Sequence, residues 1–449
     1  MKKALLAAAA VVGLAVLLVV GYAVHLVRSL DTPEFKARVL AAAKSATGTE
    51  VGVKTMEIDL FSGVTLEQPV VANPAPFQGN LLTADTFVLR YRLWPLLTGR
   101  VEVDEVRLDK PVLALAMDAR GRFNYERLGA GQGASPAAQG RMTSAVVPLT
   151  VVLRRLAVKG ATIRITDPRR AEFLTAEGAD LRSSFTGVAA GVQGRGTASV
   201  TRVGLADTFH LTSVVAPFEL TAGTLRLQPV RAQLAKGRVT ADVSVTLKGG
   251  FRWKSRAELE GASVARLLEE ARSQPRLAGT LGVKASFEGG AGLASVTGKG
   301  HAQVGDCAAR DVRLLALLSA ILGLPELARP DFDECQADFV LKEGRLETPA
   351  MSMKGPLVQL GGHGSADLRT SALDYDMTLA LARALLDRIP ARELRSAFRE
   401  RGDGFGSTDF RVTGTFAQPR TDLTTRIGKA AAGGLLKGEL GKLFGKGKT

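Results

Sequence analysis

Leu373-Asp-Tyr-Asp-Met-Thr-Leu-Ala-Leu381 alternates oily and wet side chains without a break. Leu373, Tyr375, Met377, Leu379 and Leu381 take every second position, and Asp374, Asp376, Thr378 and Ala380 fill the gaps. Successive side chains of a strand point to opposite faces, so this segment has one apolar side and one polar side. The same period returns elsewhere. Val243, Val245 and Leu247 alternate with Asp242, Ser244, Thr246 and Lys248, and Ile163 and Ile165 alternate with Arg164 and Thr166. Phe87, Leu89, Tyr91 and Leu93 alternate with Val88, Arg90 and Arg92. Glycines and Asp-type turns such as Asp118-Ala-Arg-Gly121 punctuate the runs at the spacing of an antiparallel meander. Aromatics make up only 5% of the chain while Gly numbers 49, which suits many short strands joined by tight turns. The expected fold class is mainly β, an antiparallel sheet with a few helical insertions. Such a sheet can bury its oily face against a second sheet or curl it into a trough, and alternation alone does not separate the two.

The helical exceptions are few. Asp31-Thr-Pro-Glu34 carries a helix-start signature; Phe35, Val39, Leu40 and Ala43 then share a face, with an exit near Thr47-Gly48. Ser263 to Ser273 and the strongly apolar Asp311 to Leu327 interrupt the strands, and Leu381 to Arg399 reads as a third helical segment. Gly129 to Gly140 is a Gly/Ala/Gln linker that no apolar pattern crosses, and it is the clearest internal boundary.

Ala4 to Val27 contains no acid, lysine or arginine. As a helix it would span about 36 Å, enough for a hydrocarbon core with some tilt. Lys2 and Lys3 precede it, which places the short N-terminus in the cytoplasm and the bulk of the chain on the far side. A cleaved signal peptide has an apolar region of about 7–15 residues ending in a small-x-small site. This run is longer and ends in His25-Leu26-Val27-Arg28, so an uncleaved single-pass anchor is expected. The 2 cysteines, Cys307 and Cys335, flank the apolar helical stretch. Beyond a bacterial-type inner membrane a disulfide can persist, and one closing this loop would stabilise by roughly 3–4 kcal/mol in the entropy model. Two unpaired buried thiols are the other reading, and both stand.

The net charge of +15 admits nucleic acid, anionic lipid or merely a soluble surface. Zinc-finger spacing and aromatic RNA-binding signatures are absent and the anchor leads away from the cytoplasm, so no nucleic-acid partner is expected and anionic headgroups are favoured. Ile427 to Leu443 can form a basic amphipathic helix, with Lys429, Lys437 and Lys442 at its edges, lying on an anionic membrane surface. A frayed, solvated tail is the alternative.

Catalytic constellations do not emerge. His25, His210, His301 and His363 are far apart, with no metal-ligand pairing among them. There is no G-x-S-x-G elbow. The terminal Gly447-Lys448-Thr449 has Lys442 where a phosphate loop needs its first glycine. Asp331, Asp333 and Glu334 read as a solvated turn, and Asp374 with Asp376 as the wet side of a sheet. No cofactor, no metal and no enzymatic activity are expected.

Residues 1–125 resemble the N-terminal part of the AsmA family. The resemblance rests on the anchor, the short helix with Phe35-Lys-Ala-Arg-Val-Leu40, Thr47-Gly48 followed by Val51, and Asn73-Pro74 with Phe77. Leu93-Trp-Pro-Leu-Leu-Thr-Gly-Arg-Val101, Leu108-Asp-Lys-Pro111 and Asp118-Ala-Arg-Gly-Arg-Phe-Asn124 follow in order. Residues 297–421 resemble the family's C-terminal domain through Phe339-Val-Leu-Lys-Glu-Gly344, Gly361-Gly-His-Gly-Ser-Ala-Asp-Leu368 and Val412-Thr-Gly-Thr-Phe-Ala-Gln-Pro419. The stretch 145–295 matches in style only. The organisation expected is an anchor at 1–28, an AsmA-like α+β region at 29–128, a linker at 129–145 and a middle β region at 146–296. An AsmA-like C-terminal β region with a helical insert at 297–425 and a basic tail at 426–449 complete it.

The resemblance implies an inner-membrane protein with its bulk in the periplasm, similar to the bridge-like lipid-transfer proteins and linked to outer-membrane lipid homeostasis. It implies an elongated, twisted sheet curled into a hydrophobic groove that carries phospholipid between the two membranes. The competing expectation is an envelope-assembly scaffold that aids outer-membrane biogenesis through an outer-membrane or periplasmic protein partner without carrying lipid. Val243, Val245, Leu247, Phe339, Leu341, Leu373, Tyr375, Met377 and Leu379 are the candidates for the groove lining, or else ordinary sheet core.

Overall fold

The computed structural model describes residues 33–59, 63–92, 95, 101–118, 122–128, 151–166, 172–188, 191–205, 208–246, 252–271, 277–290, 295–309, 313–390, 392–416, 418–423 and 425–426. The membrane-length run at 4–27, the linker at 129–145, Leu247 and the tail lysines Lys429, Lys437 and Lys442 lie outside them. Among the described residues no helix is long and apolar enough to cross a membrane. They are mainly β and fall into two units, one within Met1–Gln233 and Thr240–Trp253, the other within Leu234–Val239 and Lys254–Thr449.

Unit 1 opens with helix α1 (Pro33–Thr47), which has Glu34 in its first turn and Lys44 in its last, as the helix dipole favours. Gly48 takes the left-handed exit (φ 71°), and its N–H donates to the Lys44 carbonyl at 2.8 Å. The Thr49 hydroxyl then donates to the Ala72 carbonyl at 3.1 Å and pins the exit to the sheet. Short strands follow: β1 (Val51–Gly52), β2 (Thr55–Asp59), β3 (Gly63–Glu67), β4 (Val70–Ala72), β5 (Asn80–Thr83) and β6 (Thr86–Tyr91). Next come β7 (Val101–Asp109), β8 (Val112–Ala116) and the long strands β9 (Val151–Thr166), β10 (Glu172–Val188) and β11 (Gly191–Leu205). β12 (Phe209–Thr221), β13 (Thr224–Leu234) and β14 (Gly237–Thr246) continue the series.

The segment 129–145 lies outside the described residues, and the strands on either side of it, β7 and β8 before and β9 after, fall in one compact unit. β9 pairs in parallel with β7 from Val101↔Val151 and with β8 from Val112↔Thr162. Leu153 and Leu156 of β9 pack against the buried Phe87, Leu89, Val103 and Val106. Parallel neighbours need a crossover, and this segment is the crossover's connection in sequence. The second compact unit holds Lys254 onward.

Unit 2 is built from β15 (Arg252–Ser263), helix α2 (Val264–Glu270), β16 (Leu277–Gly289), β17 (Thr297–Ala309) and helix α3 (Arg313–Leu322). β18 (Asp331–Phe332), β19 (Glu334–Lys342), β20 (Arg345–Lys354), β21 (Val358–Asp367) and β22 (Ala372–Ala382) follow. Helices α4 (Arg383–Leu386) and α5 (Arg392–Arg395), then β23 (Arg399–Glu400), β24 (Phe405–Thr415) and β25 (Pro419–Thr421), complete it. β16, β17, β19, β20, β21, β22 and β24 pair antiparallel in that order.

Two of the three expected helical segments are shorter than their sequence ranges. α2 starts where the Ser263 hydroxyl caps Arg266 N–H, and the Asp311–Leu327 stretch breaks at Gly323 into α3 and a 3-10 turn at Pro325–Ala328. The third, Leu381 to Arg399, is corrected. β22 persists to Ala382 because Leu379 and Leu381 keep their strand pairing with Leu360 and Val358, and only the two short helices α4 and α5 follow.

Candidate functional site

The register of unit 2 places one apolar face in rows. Row by row across β16, β17, β19, β20, β21, β22 and β24, the first is Leu281, Val304, Cys335, Met353, Leu360, Leu379 and Thr408. The next is Val283, Ala302, Ala337, Met351, Gly362, Met377 and Phe410. Ala285, Gly300, Phe339, Thr348, Gly364, Tyr375 and Val412 form the third, with Phe339 set against Thr348 by an extra residue in β20. Phe287, Gly298, Leu341, Leu346, Ala366, Leu373 and Gly414 form the fourth. The opposite face is wet and carries cross-strand polar pairs: Lys284 with Glu258 at 2.9 Å, the His301 ring with Asp338 at 2.8 Å, Lys354 with Glu334 at 3.1 Å and Arg411 with Asp374 at 2.6 Å. Such exposed pairs contribute little stability but mark which side faces water.

One end of the apolar face is sealed. Leu318 and Leu322 of α3, with Leu324, Leu327, Leu385, Ile389 and Phe398, cover Cys307, Phe332, Cys335, Val358, Leu379, Leu381 and Phe410. Arg388 and Glu326 tie this helical cap together at 2.5 Å. Beyond the cap the face continues. Phe287, Phe339, Leu341, Leu346, Leu373 and Tyr375 are partly exposed and belong to no buried cluster among the described residues. The strip crosses seven strands, so six spacings of about 4.8 Å give it a length of about 29 Å. A lipid tail fills half of a hydrocarbon core about 30 Å thick, about 15 Å.

The nine lining candidates therefore divide. Phe339, Leu341, Leu373 and Tyr375 lie together on the open strip. Met377 is partly buried at the edge of the cap. Leu379 is corrected to core, because a side chain with 0% exposure beneath α3 has no surface to offer a ligand. In unit 1, Val245 is buried with Leu220, and Val243, Phe185, Leu225, Leu227 and Trp253 pack around them. Cys307 and Cys335 are buried free thiols rather than a disulfide. They are in hydrogen-bond contact, and that bond together with burial pushes the Cys335 thiol up.

Several residues of the strip were not among the candidates. Leu346 and Thr348 share a face with Met351 and Met353 only because β20 bulges between Thr348 and Met351, which breaks the period of two. Gly298 and Gly300 carry no apolar signal at all. Their signal is the size of their cross-strand neighbours, Phe287 and Phe339, and it appears only once the register is known.

No curated protein and no solved structure matches the chain. The family model that matches is that of the AsmA family, over residues 1–199. The matched stretch runs through the linker and into β11, in agreement with the parallel seam that joins β9 to β7 and β8. Over residues 1–199 the chain is similar to the AsmA family.

Proposed function

We propose that this protein is an inner-membrane-anchored, periplasmic lipid-binding protein that carries phospholipid toward the outer membrane with its acyl chains on an apolar β-groove. One observation carries the reading: the apolar face of unit 2 outruns its helical cap, leaving Phe339, Leu341, Leu346, Leu373 and Tyr375 partly exposed side by side. The similarity of residues 1–199 to the AsmA family supports an envelope role connected with lipid. An acyl chain exposed to water costs about 0.8 kcal/mol per methylene, on the order of 10 kcal/mol per chain. A strip that keeps the chain dry while headgroups remain in water removes most of that barrier without any catalytic residue.

The test is lipid recovery. Full-length protein is extracted in mild detergent with a photocrosslinking residue in place of Leu373, and the adducts are read by mass spectrometry. Phospholipid adducts at Leu373, and none at the exposed polar-face position Asp376, are expected. A lipid-free protein holding a stable protein partner would overturn the reading in favour of an assembly scaffold.

A further inference from the structure

Three strands of this chain carry the same short pattern, glycine, a basic residue, glycine, any residue, alanine, any residue, then Val or Leu. They are Gly194-Arg-Gly-Thr-Ala-Ser-Val200 in β11, Gly298-Lys-Gly-His-Ala-Gln-Val304 in β17, and Gly362-His-Gly-Ser-Ala-Asp-Leu368, which begins in β21. In each case the basic residue, Arg195, Lys299 or His363, is exposed on the face opposite the glycines. Large side chains from the flanking strands lie over the glycines. In β17 the rings of Phe287 and Phe339 approach from both sides to a centroid separation of 6.5 Å, and a Cβ on Gly298 or Gly300 would overlap them. In β11 Phe185 lies on Gly194, with Phe218 6.4 Å away from the other side. In β21 a Cβ on Gly362 would come within 2.5 Å of Met377 Sδ, and one on Gly364 within 2.7 Å of the Tyr375 ring. Tyr375 reaches across the Gly364 strand until its hydroxyl meets the Thr348 hydroxyl at 3.2 Å. That bond holds the ring down and pairs a hydroxyl of the buried Thr348.

We propose that the glycine pairs of β17 and β21 set the clearance of the apolar face of unit 2. They let the flanking rings lie flat as floor tiles, so that an acyl chain can pass over them. The inference rests on the lipid-groove reading and adds its specificity element: the ligand is a slender, unbranched hydrocarbon chain, and the glycines fix the headroom. A methyl group at Gly300 would lift the Phe339 ring into the path of the chain, because close-packed surfaces have no slack to absorb it.

Full-length protein in mild detergent, with a photocrosslinking residue in place of Leu346, reports the passage of phospholipid beside Phe339. Gly300→Ala is expected to lower the lipid adduct about tenfold, and the double variant Gly300→Ala/Phe339→Ala to restore it. Gly361→Ala is the control, since a Cβ there meets its nearest neighbour, the Met351 carbonyl oxygen, at an ordinary 3.6 Å. If Gly300→Ala does not fold, Phe339→Trp adds bulk to the tile while keeping the glycine, and the same loss is expected. Wild-type adduct yield in a folded Gly300→Ala or Phe339→Trp protein overturns the inference, as does a folded double variant that stays empty. Absence of lipid from the wild-type protein overturns the groove reading and this inference with it.

Discussion

Leu373 and Leu379 lie on one strand and one face, yet asparagine in their places should have very different costs. Leu379 has 0% exposure and packs in the cluster with Leu318, Leu322, Leu385 and Phe410. Asparagine there forfeits most of the burial free energy of leucine, about 1.5–3 kcal/mol. It also leaves a buried amide without partners, a further penalty of about 1–3 kcal/mol. The sum is about 2.5–6 kcal/mol. Leu373 opposes only Ala366 and Gly414 and is partly exposed. Its replacement forfeits about half the transfer term, and its amide reaches water, for a total of about 1 kcal/mol. A gap of about 3 kcal/mol is about two decades in a local opening equilibrium. Hydrogen–deuterium exchange of peptides covering β22 and α3 reads that equilibrium directly. Leu379→Asn should raise exchange in both elements about a hundredfold more than Leu373→Asn does. If Leu373→Asn loosens the cap as much as Leu379→Asn, the strip is a sealed interior and the groove reasoning fails.

Three further outcomes follow from individual contacts. Asp367 accepts from the Arg369 and Thr370 N–H groups at 2.8 and 3.0 Å; those bonds, with the Arg369 guanidinium, hold its carboxyl down to about 2, against an ordinary 3.8. A depressed folded value gives stability that is present above 3.8 and lost as pH falls toward about 2, so the deficit of Asp367→Asn in urea midpoint should be largest at neutral pH and close across that window. Asn124 is fully buried and donates to Asn73 Oδ1 at 2.7 Å and to the Ala114 carbonyl at 2.8 Å, so Asn124→Ala should cost unit 1 about 2–4 kcal/mol in chemical denaturation. Cys307 and Cys335 should resist maleimide in the folded protein and react in urea, since burial denies the reagent access to both; equal labelling rates in the two conditions would contradict the buried pair.

What could be read from residues alone follows from where side-chain chemistry is informative. The floor strand Leu373–Leu381 was legible because its two faces differ sharply, and α1 was legible through its start signature and Gly48. Pairing across a long gap leaves no local trace, so the β7–β9 seam was invisible. Likewise Leu373, Tyr375, Met377 and Leu379 have the same pattern in sequence, and only the position of α3 above the strand separates the sealed end from the open one.

The glycine strands were hidden for a different reason. Hydrophobic periodicity weighs each position by its own side chain, and Gly298 and Gly300 have none to weigh. Their contribution to the apolar face belongs to Phe287 and Phe339, which reach over from neighbouring strands. An open groove needs such positions more than a sandwich does. In a sandwich a second layer fills the space above the sheet, and upright rings are welcome there. Over a groove the same rings must lie down if a ligand is to share the space, and a ring can lie down only on a neighbour that has no side chain. On the proposed groove reading, the glycine–basic–glycine strands, with Phe185, Phe287, Phe339, Tyr375 and Met377 lying against Gly194, Gly298, Gly300, Gly364 and Gly362, are the positions that would let such a face stay uncovered.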